Sequence, residues 1–113
     1  MSFTEVFAGV LVRDRAAAIE FYERLLGTPP AMLPNDDEAA WQVTESGWLY
    51  VLEDHRNAGG AILTLLVDDL DEHLAGLVER GVETGPVEEI PGKVRSVWVV
   101  DPDGNRIQLG QPG

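Results

Sequence analysis

The spacing of apolar and polar positions divides the chain into short extended runs and two amphipathic stretches. Residues 5–12, Glu5-Val6-Phe7-Ala8-Gly9-Val10-Leu11-Val12, are apolar, β-branched in part and too short for a helix, so they predict a strand. Asp14 then stands as an N-cap. Ala18, Ile19, Tyr22, Leu25 and Leu26 recur at helical spacing over 15–26. Gly27 is the expected stop, and Pro29-Pro30 forbids continuation. Residues 31–33 predict a short strand and 34–38 an acidic turn. Residues 40–44 and 48–53 predict a hairpin around Glu45-Ser46-Gly47. A polar loop, 54–60, follows and ends in two glycines.

The second half repeats this order. Residues 61–67 are an apolar strand, Asp68 or Asp69 is the cap, and Leu70, Leu74, Leu77 and Val78 form a stripe on a second helix stopped by Gly81. Residues 82–87, 93–100 and 106–109 are candidate strands. The last two are joined by Asp101-Pro102-Asp103-Gly104-Asn105, a turn in which proline fixes φ and glycine accepts positive φ. Val12-Arg13-Asp14 and Val67-Asp68-Asp69 each open a helix, 55 residues apart. Each half thus reads strand–helix–strand–strand–strand, which points to duplication. The expectation is one domain over 1–113, with a first module of about 1–56 and a second of about 57–113.

Composition narrows the possible partners. Twenty Asp and Glu against eight Lys and Arg give a net charge of −12 in 113 residues. Nucleic acid and anionic membrane surfaces both need a basic face and are excluded as partners. The excess favours cationic ligands. The absence of cysteine removes disulfides, thiolate nucleophiles and Cys-ligated metals. The first residues lack the basic and apolar regions of a signal peptide, so a cytoplasmic location is expected.

Three segments carry a resemblance. They are Val10-Leu11-Val12-Arg13-Asp14 running into Phe21-Tyr22-Glu23-Arg24-Leu25-Leu26-Gly27; Leu65-Leu66-Val67-Asp68-Asp69; and Asp101-Pro102-Asp103-Gly104-Asn105-Arg106-Ile107-Gln108-Leu109. In this order they resemble the vicinal oxygen chelate superfamily of glyoxalase, bleomycin-resistance and extradiol dioxygenase proteins. The resemblance implies an α+β fold: two tandem βαβββ modules forming an incomplete mixed β-barrel with helices outside. Period-two alternation would then turn Ala8, Val10 and Val12 toward a helix and Phe7, Gly9 and Leu11 toward the pocket. Leu63, Leu65, Val67, Ile107 and Leu109 would face the helices, and Ile62, Thr64, Leu66, Arg106 and Gln108 the pocket.

Metal-dependent members of that superfamily look alike at four ligand positions, which fall here on Phe7, Ile62, Gln108 and, as the best match for a more variable one, Tyr50. Phe and Ile offer no lone pair, and a neutral amide is a weak ligand for a divalent ion, so neither a metal nor another cofactor is expected. His55 and His73 lack a matching second cluster. Asp101 and Asp103 are explained by the turn, and no serine has a nucleophile's context. No catalytic residue is assigned.

An apolar and aromatic pocket follows, with Phe7, Trp41, Trp48, Tyr50, Ile62, Thr64, Trp98, Arg106 and Gln108 as candidate ligand-binding residues. Arg95 is a further polar candidate. The expected function is metal-free binding of a small molecule, a cationic or aromatic compound such as an antibiotic, by a homodimer. The alternative is an enzyme of the same superfamily, a lyase or isomerase or a dioxygenase type, using an unrecognised metal or an acid–base carboxylate such as Glu53.

Overall fold

A computed structural model of the protein describes residues 2–92 and 94–113. The elements run β1 (Val6–Val12), α1 (Arg15–Leu26), β2 (Glu38–Thr44), β3 (Gly47–Glu53), β4 (Ile62–Leu66), α2 (Leu70–Glu79), β5 (Glu88–Ile90), β6 (Val94–Val100) and β7 (Arg106–Pro112). They build two mixed sheets, ordered β1-β3-β2 and β4-β7-β6-β5. In each sheet the strand before the helix pairs in parallel with the last strand of its half, β1 with β3 and β4 with β7. That last strand pairs antiparallel with the one before it. The architecture is the α+β arrangement with open sheets that the resemblance implies.

Local chemistry sets the helix ends. Asp14 accepts a hydrogen bond from the Ala17 amide, and Gly27 closes α1 in the left-handed region at φ 78°. Asp69, rather than Asp68, caps α2 by accepting from the Glu72 amide. On α2, Leu70 and Leu77 are buried and Leu74 is partly buried, but Val78 is exposed. At about 100° per residue, Val78 has rotated roughly 80° from Leu70 and leaves the stripe.

Two predicted strands change. Residues 31–33 contribute only a single bridge, between Met32 and Ala40. Residues 82–87 are not a strand. Val82 packs into the core and the Gly85 amide bonds the Trp98 carbonyl at 2.9 Å, but Pro86 has no N–H to continue the ladder. Pairing resumes at Glu88. Strand β6 is described from Val94; the predicted start at Lys93 lies outside the described residues.

One core serves both halves. Val10, Val12, Leu49 and Val51 from the first sheet, and Val97, Val99, Ile107 and Leu109 from the second, meet Tyr22, Leu25, Leu70 and Leu77 of the two helices. The helices therefore cover one face of each sheet and leave the other face open. The two halves are also tied by a buried polar knot. The Tyr22 hydroxyl donates to Asp101 Oδ2 at 2.8 Å, and Asn105 Nδ2 donates to the same oxygen and to the Leu11 carbonyl. Asp101 Oδ1 accepts from the Asp103 and Asn105 amides, and Asn105 Oδ1 accepts from the Ala61 amide. The aromatic–helix motif and the Asp-Pro-Asp-Gly-Asn turn are thus bonded to each other. Among the described residues no helix is long and apolar enough to cross a membrane.

Candidate functional site

Directly paired residues of neighbouring strands share a face, so the register defines the two open faces. On the first sheet Phe7 pairs with Trp48, Gly9 with Tyr50 and Leu11 with Leu52. On the second, Ile62 and Val100 flank Arg106, while Thr64 and Trp98 flank Gln108. The predicted inward sets of β1, β4 and β7 therefore all lie on the open faces, and their alternates, apart from the half-buried Ala8, lie in or against the core.

The first face is aromatic. The Phe7 and Trp48 rings stack with centroids 5.4 Å apart and planes 12° from parallel. The Tyr50 ring lies across Gly9: a Cβ at position 9 would sit 2.7 Å from Tyr50 Cζ and Oη. Trp48 Nε1 is shielded from solvent and has no hydrogen-bond partner among the described residues. Phe7 itself is 49% exposed.

The second face combines a polar row with apolar flanks. The Thr64 hydroxyl donates to Gln108 Oε1 at 3.2 Å, and Gln108 Nε2 donates to the Ser96 hydroxyl at 3.4 Å. Beside this row the Arg106 guanidinium carbon stands 5.5 Å from the Trp98 ring centroid. Ile62, Leu66 and Val100 are each more than half exposed around it.

Trp41 is not part of either open face. It pairs with Leu49, one position out of phase with Trp48, and is buried in the core 6.0 Å from the Tyr22 ring. Its Nε1 donates to the Thr28 carbonyl at 2.9 Å. The alternation settles this. Ala39 and Trp41 point to the helix side with the core, so Gln42 is the β2 residue that shares a face with Trp48. Trp41 does reach a cavity of about 450 Å³ between β2 and β4, which Thr64 and His73 also line.

Other candidates are engaged elsewhere. Arg95 lies on the helix side of β6 and pairs with Glu89 at 3.0 Å and Asp71 at 3.1 Å. Glu53 accepts from the Arg15 amide at 2.9 Å, at the start of α1 rather than on an open face. Asp54, beside His55, is occupied by its own loop. Hydrogen bonds from Asn57 hold its carboxyl below the usual aspartate range. His73 is partly buried on α2, with Nε2 unpartnered among the described residues; burial, then the nearby Arg80 charge, lowers its pKa. Ser96 and Val100 share the open face of Trp98, and neither stands out by residue type. Their period-two spacing about Trp98 marks them.

The four positions at which the resemblance places metal ligands lie on the open faces, Phe7 and Tyr50 on one sheet, Ile62 and Gln108 on the other. These side chains do not fit a divalent cation. Two carry no donor atom, and the Gln108 amide is already committed to Thr64 and Ser96.

Comparison with known proteins agrees with the fold. The family model of the Glyoxalase/Bleomycin resistance protein/Dioxygenase superfamily matches residues 6–109. Among solved structures, a glyoxalase/bleomycin resistance protein from Catenulispora acidiphila DSM 44928 is 43% identical, with TM-score 0.93 over 98% of this chain and 100% of that one. TnmS3, an antibiotic-binding protein from Streptomyces sp. CB03234, is 29% identical, with TM-score 0.79 over 100% of this chain and 99% of that one. A bleomycin-binding protein solved with bleomycin is 20% identical, with TM-score 0.78 over the whole of both chains, a likeness of fold. No curated protein matches the chain.

Proposed function

Because the chain belongs to the Glyoxalase/Bleomycin resistance protein/Dioxygenase superfamily, we propose that it uses that scaffold without a metal, as a protein that binds and sequesters a small aromatic molecule. The observation that carries this reading is the stacked Phe7–Trp48 pair, which puts a π-surface where the superfamily's metal-dependent members carry their first ligand. Tyr50 and Trp98 extend the aromatic surface, and Ile62 replaces a second ligand with a hydrocarbon. The antibiotic-binding relative supports an antibiotic-like ligand.

The same reading makes the functional unit a homodimer. Both open faces expose apolar side chains, with Phe7, Ile62, Leu66 and Val100 all about half exposed or more. Strands β1 and β4 each pair on one side only, so each sheet presents an unpaired edge. Faces and edges of this kind are covered by another surface in stable soluble proteins, and a second copy of the chain supplies both sheets again. A ligand held between the aromatic face of one copy and the polar face of the other would lose most of its contact with water.

The test is a titration of the protein with planar aromatic compounds, antibiotics among them, followed by tryptophan fluorescence and paired with sedimentation to measure mass. Saturable change at Trp48 and Trp98 in a dimer supports the proposal. A monomer whose fluorescence no such compound alters overturns it.

A further inference from the structure

The acidic composition favours a cationic ligand, but the face around Trp98 carries the opposite local chemistry. Arg13, Arg24 and Arg95 each pair with a carboxylate, as expected where acids outnumber bases. The Arg15 guanidinium bonds the Glu38 carbonyl and that of Arg80 bonds the Arg24 carbonyl. Arg106 differs. Among the described residues its side chain has no carboxylate within salt-bridge distance and no hydrogen-bonded partner, and its recorded contact is the face of Trp98. Its strand neighbours are Ile62 and Val100, both aliphatic and more than half exposed. The register places one acid on this face, Glu88 opposite Ser96, two strands from β7 and four residues along β6 from Val100.

The neighbouring polar atoms point the same way. Gln108 Oε1, the acceptor nearest Arg106 along β7, already accepts from Thr64. On the first sheet the Trp48 indole N–H, shielded from solvent, has no acceptor among the described residues. Around Trp98 the cation left without a carboxylate is Arg106, and the acid of this face, Glu88, stands two strands away. A guanidinium stacked on an indole keeps its in-plane N–H groups free, and those groups match a carboxylate or phenolate bidentately.

We infer that the bound molecule is a planar aromatic carrying an acidic oxygen group, a carboxylate or an acidic phenol, which Arg106 recognises while Trp98 and the Phe7–Trp48 pair take the ring system. This rests on the proposed binding function and names the chemistry that the site selects. Arg106 is the specificity-determining residue. The net charge of −12 then acts from outside the site as a background that repels anions, so selection depends on the guanidinium being at the face itself.

The experiment compares two probes with one ring and opposite charge, 2-naphthoate and (2-naphthyl)methylammonium. Each is titrated into the full chain at pH 7, with the tryptophan indole N–H resonances as readout. The expected result is that naphthoate binds about tenfold more tightly, as one charge-assisted contact implies. Arg106→Gln, an exposed-site change, should bring the two affinities to within about threefold, and Arg106→Lys should restore part of the preference. Raising KCl should shrink the preference in the native chain. If both probes move Trp48 and Trp98 with equal affinity, or the ammonium binds better, the face binds aromatics but the acidic-group inference is overturned. If neither probe moves Trp48 or Trp98, the binding function itself fails and the inference falls with it.

Discussion

Tyr22→Phe removes one oxygen atom and with it the hydroxyl that bonds Asp101 across a sequence separation of 79 residues. The phenol is buried and its partner is a carboxylate, so the bond is charge-assisted. Losing it should cost about 1.5–3 kcal/mol. The Asp101 carboxylate keeps three donors, the Asp103 and Asn105 amides and Asn105 Nδ2, which holds the cost within that range and below that of a fully orphaned charge. With unfolding entropy near 2.1 cal/mol/K per residue, a chain of this length loses about 4 °C of Tm per kcal/mol, so the variant should melt roughly 6–12 °C lower.

The pH dependence provides a second readout. Burial, and then the Asp101 charge and hydrogen bond, push the Tyr22 phenol far above its ordinary range. In the unfolded chain it titrates near 10. Below pH 10 both states keep the proton and the contribution is fully present. Above pH 10 the unfolded state releases it and the folded state does not, so stability falls by up to about 1.4 kcal/mol per pH unit from this group. Tyr22→Phe lacks that slope. Urea denaturation at pH 7 and pH 11 should therefore show a gap between native and variant that narrows at the higher pH. A cost below about 0.5 kcal/mol at pH 7, or a gap that widens at pH 11, would refute the account of the knot.

Gly9→Ala places a Cβ 2.7 Å from the Tyr50 ring, so the ring must move; naphthoate affinity should drop several-fold while Tm changes little, as titration and melting would show. Gln108→Glu should not create tight binding of zinc, nickel or manganese, because Phe7 and Ile62 still offer no donors; isothermal titration with each ion checks this, and stoichiometric tight binding would contradict the site. Trp41→Phe should destabilise by about 1–3 kcal/mol through a core cavity and the lost bond to Thr28. Trp48→Phe should cost less than about 1 kcal/mol yet weaken ligand binding, a contrast that chemical denaturation and titration together resolve.

The legible parts of the sequence were those governed by local rules. Asp14 and Asp69 cap because their side chains reach amides three residues on. The alternation in β1, β4 and β7 sorted Phe7, Ile62, Thr64, Arg106 and Gln108 onto the open faces because each strand has one face in the core. Trp41 has the residue type of a pocket lining, yet its phase on β2 puts it in the core. Residues 82–87 have the apolar content of a strand, but Pro86 breaks the ladder. Strand β7 runs beyond Leu109 to Pro112 because Ser96, Arg95 and Val94 of β6 remain there to pair with it, a fact of tertiary register. The Tyr22–Asp101–Asn105 knot joined two motifs that the sequence showed separately, and no local pattern reveals such a bond.

The central claim is that the open sheet faces bind an aromatic molecule, and the three tryptophans test it within one spectrum. Trp48 and Trp98 lie on the open faces, whereas Trp41 is locked in the core with its indole N–H on Thr28. An indole N–H NMR titration with 2-naphthoate should shift the Trp48 and Trp98 signals along one saturating curve and leave Trp41 in place. A shift confined to Trp41, or none at saturating ligand, would contradict the account.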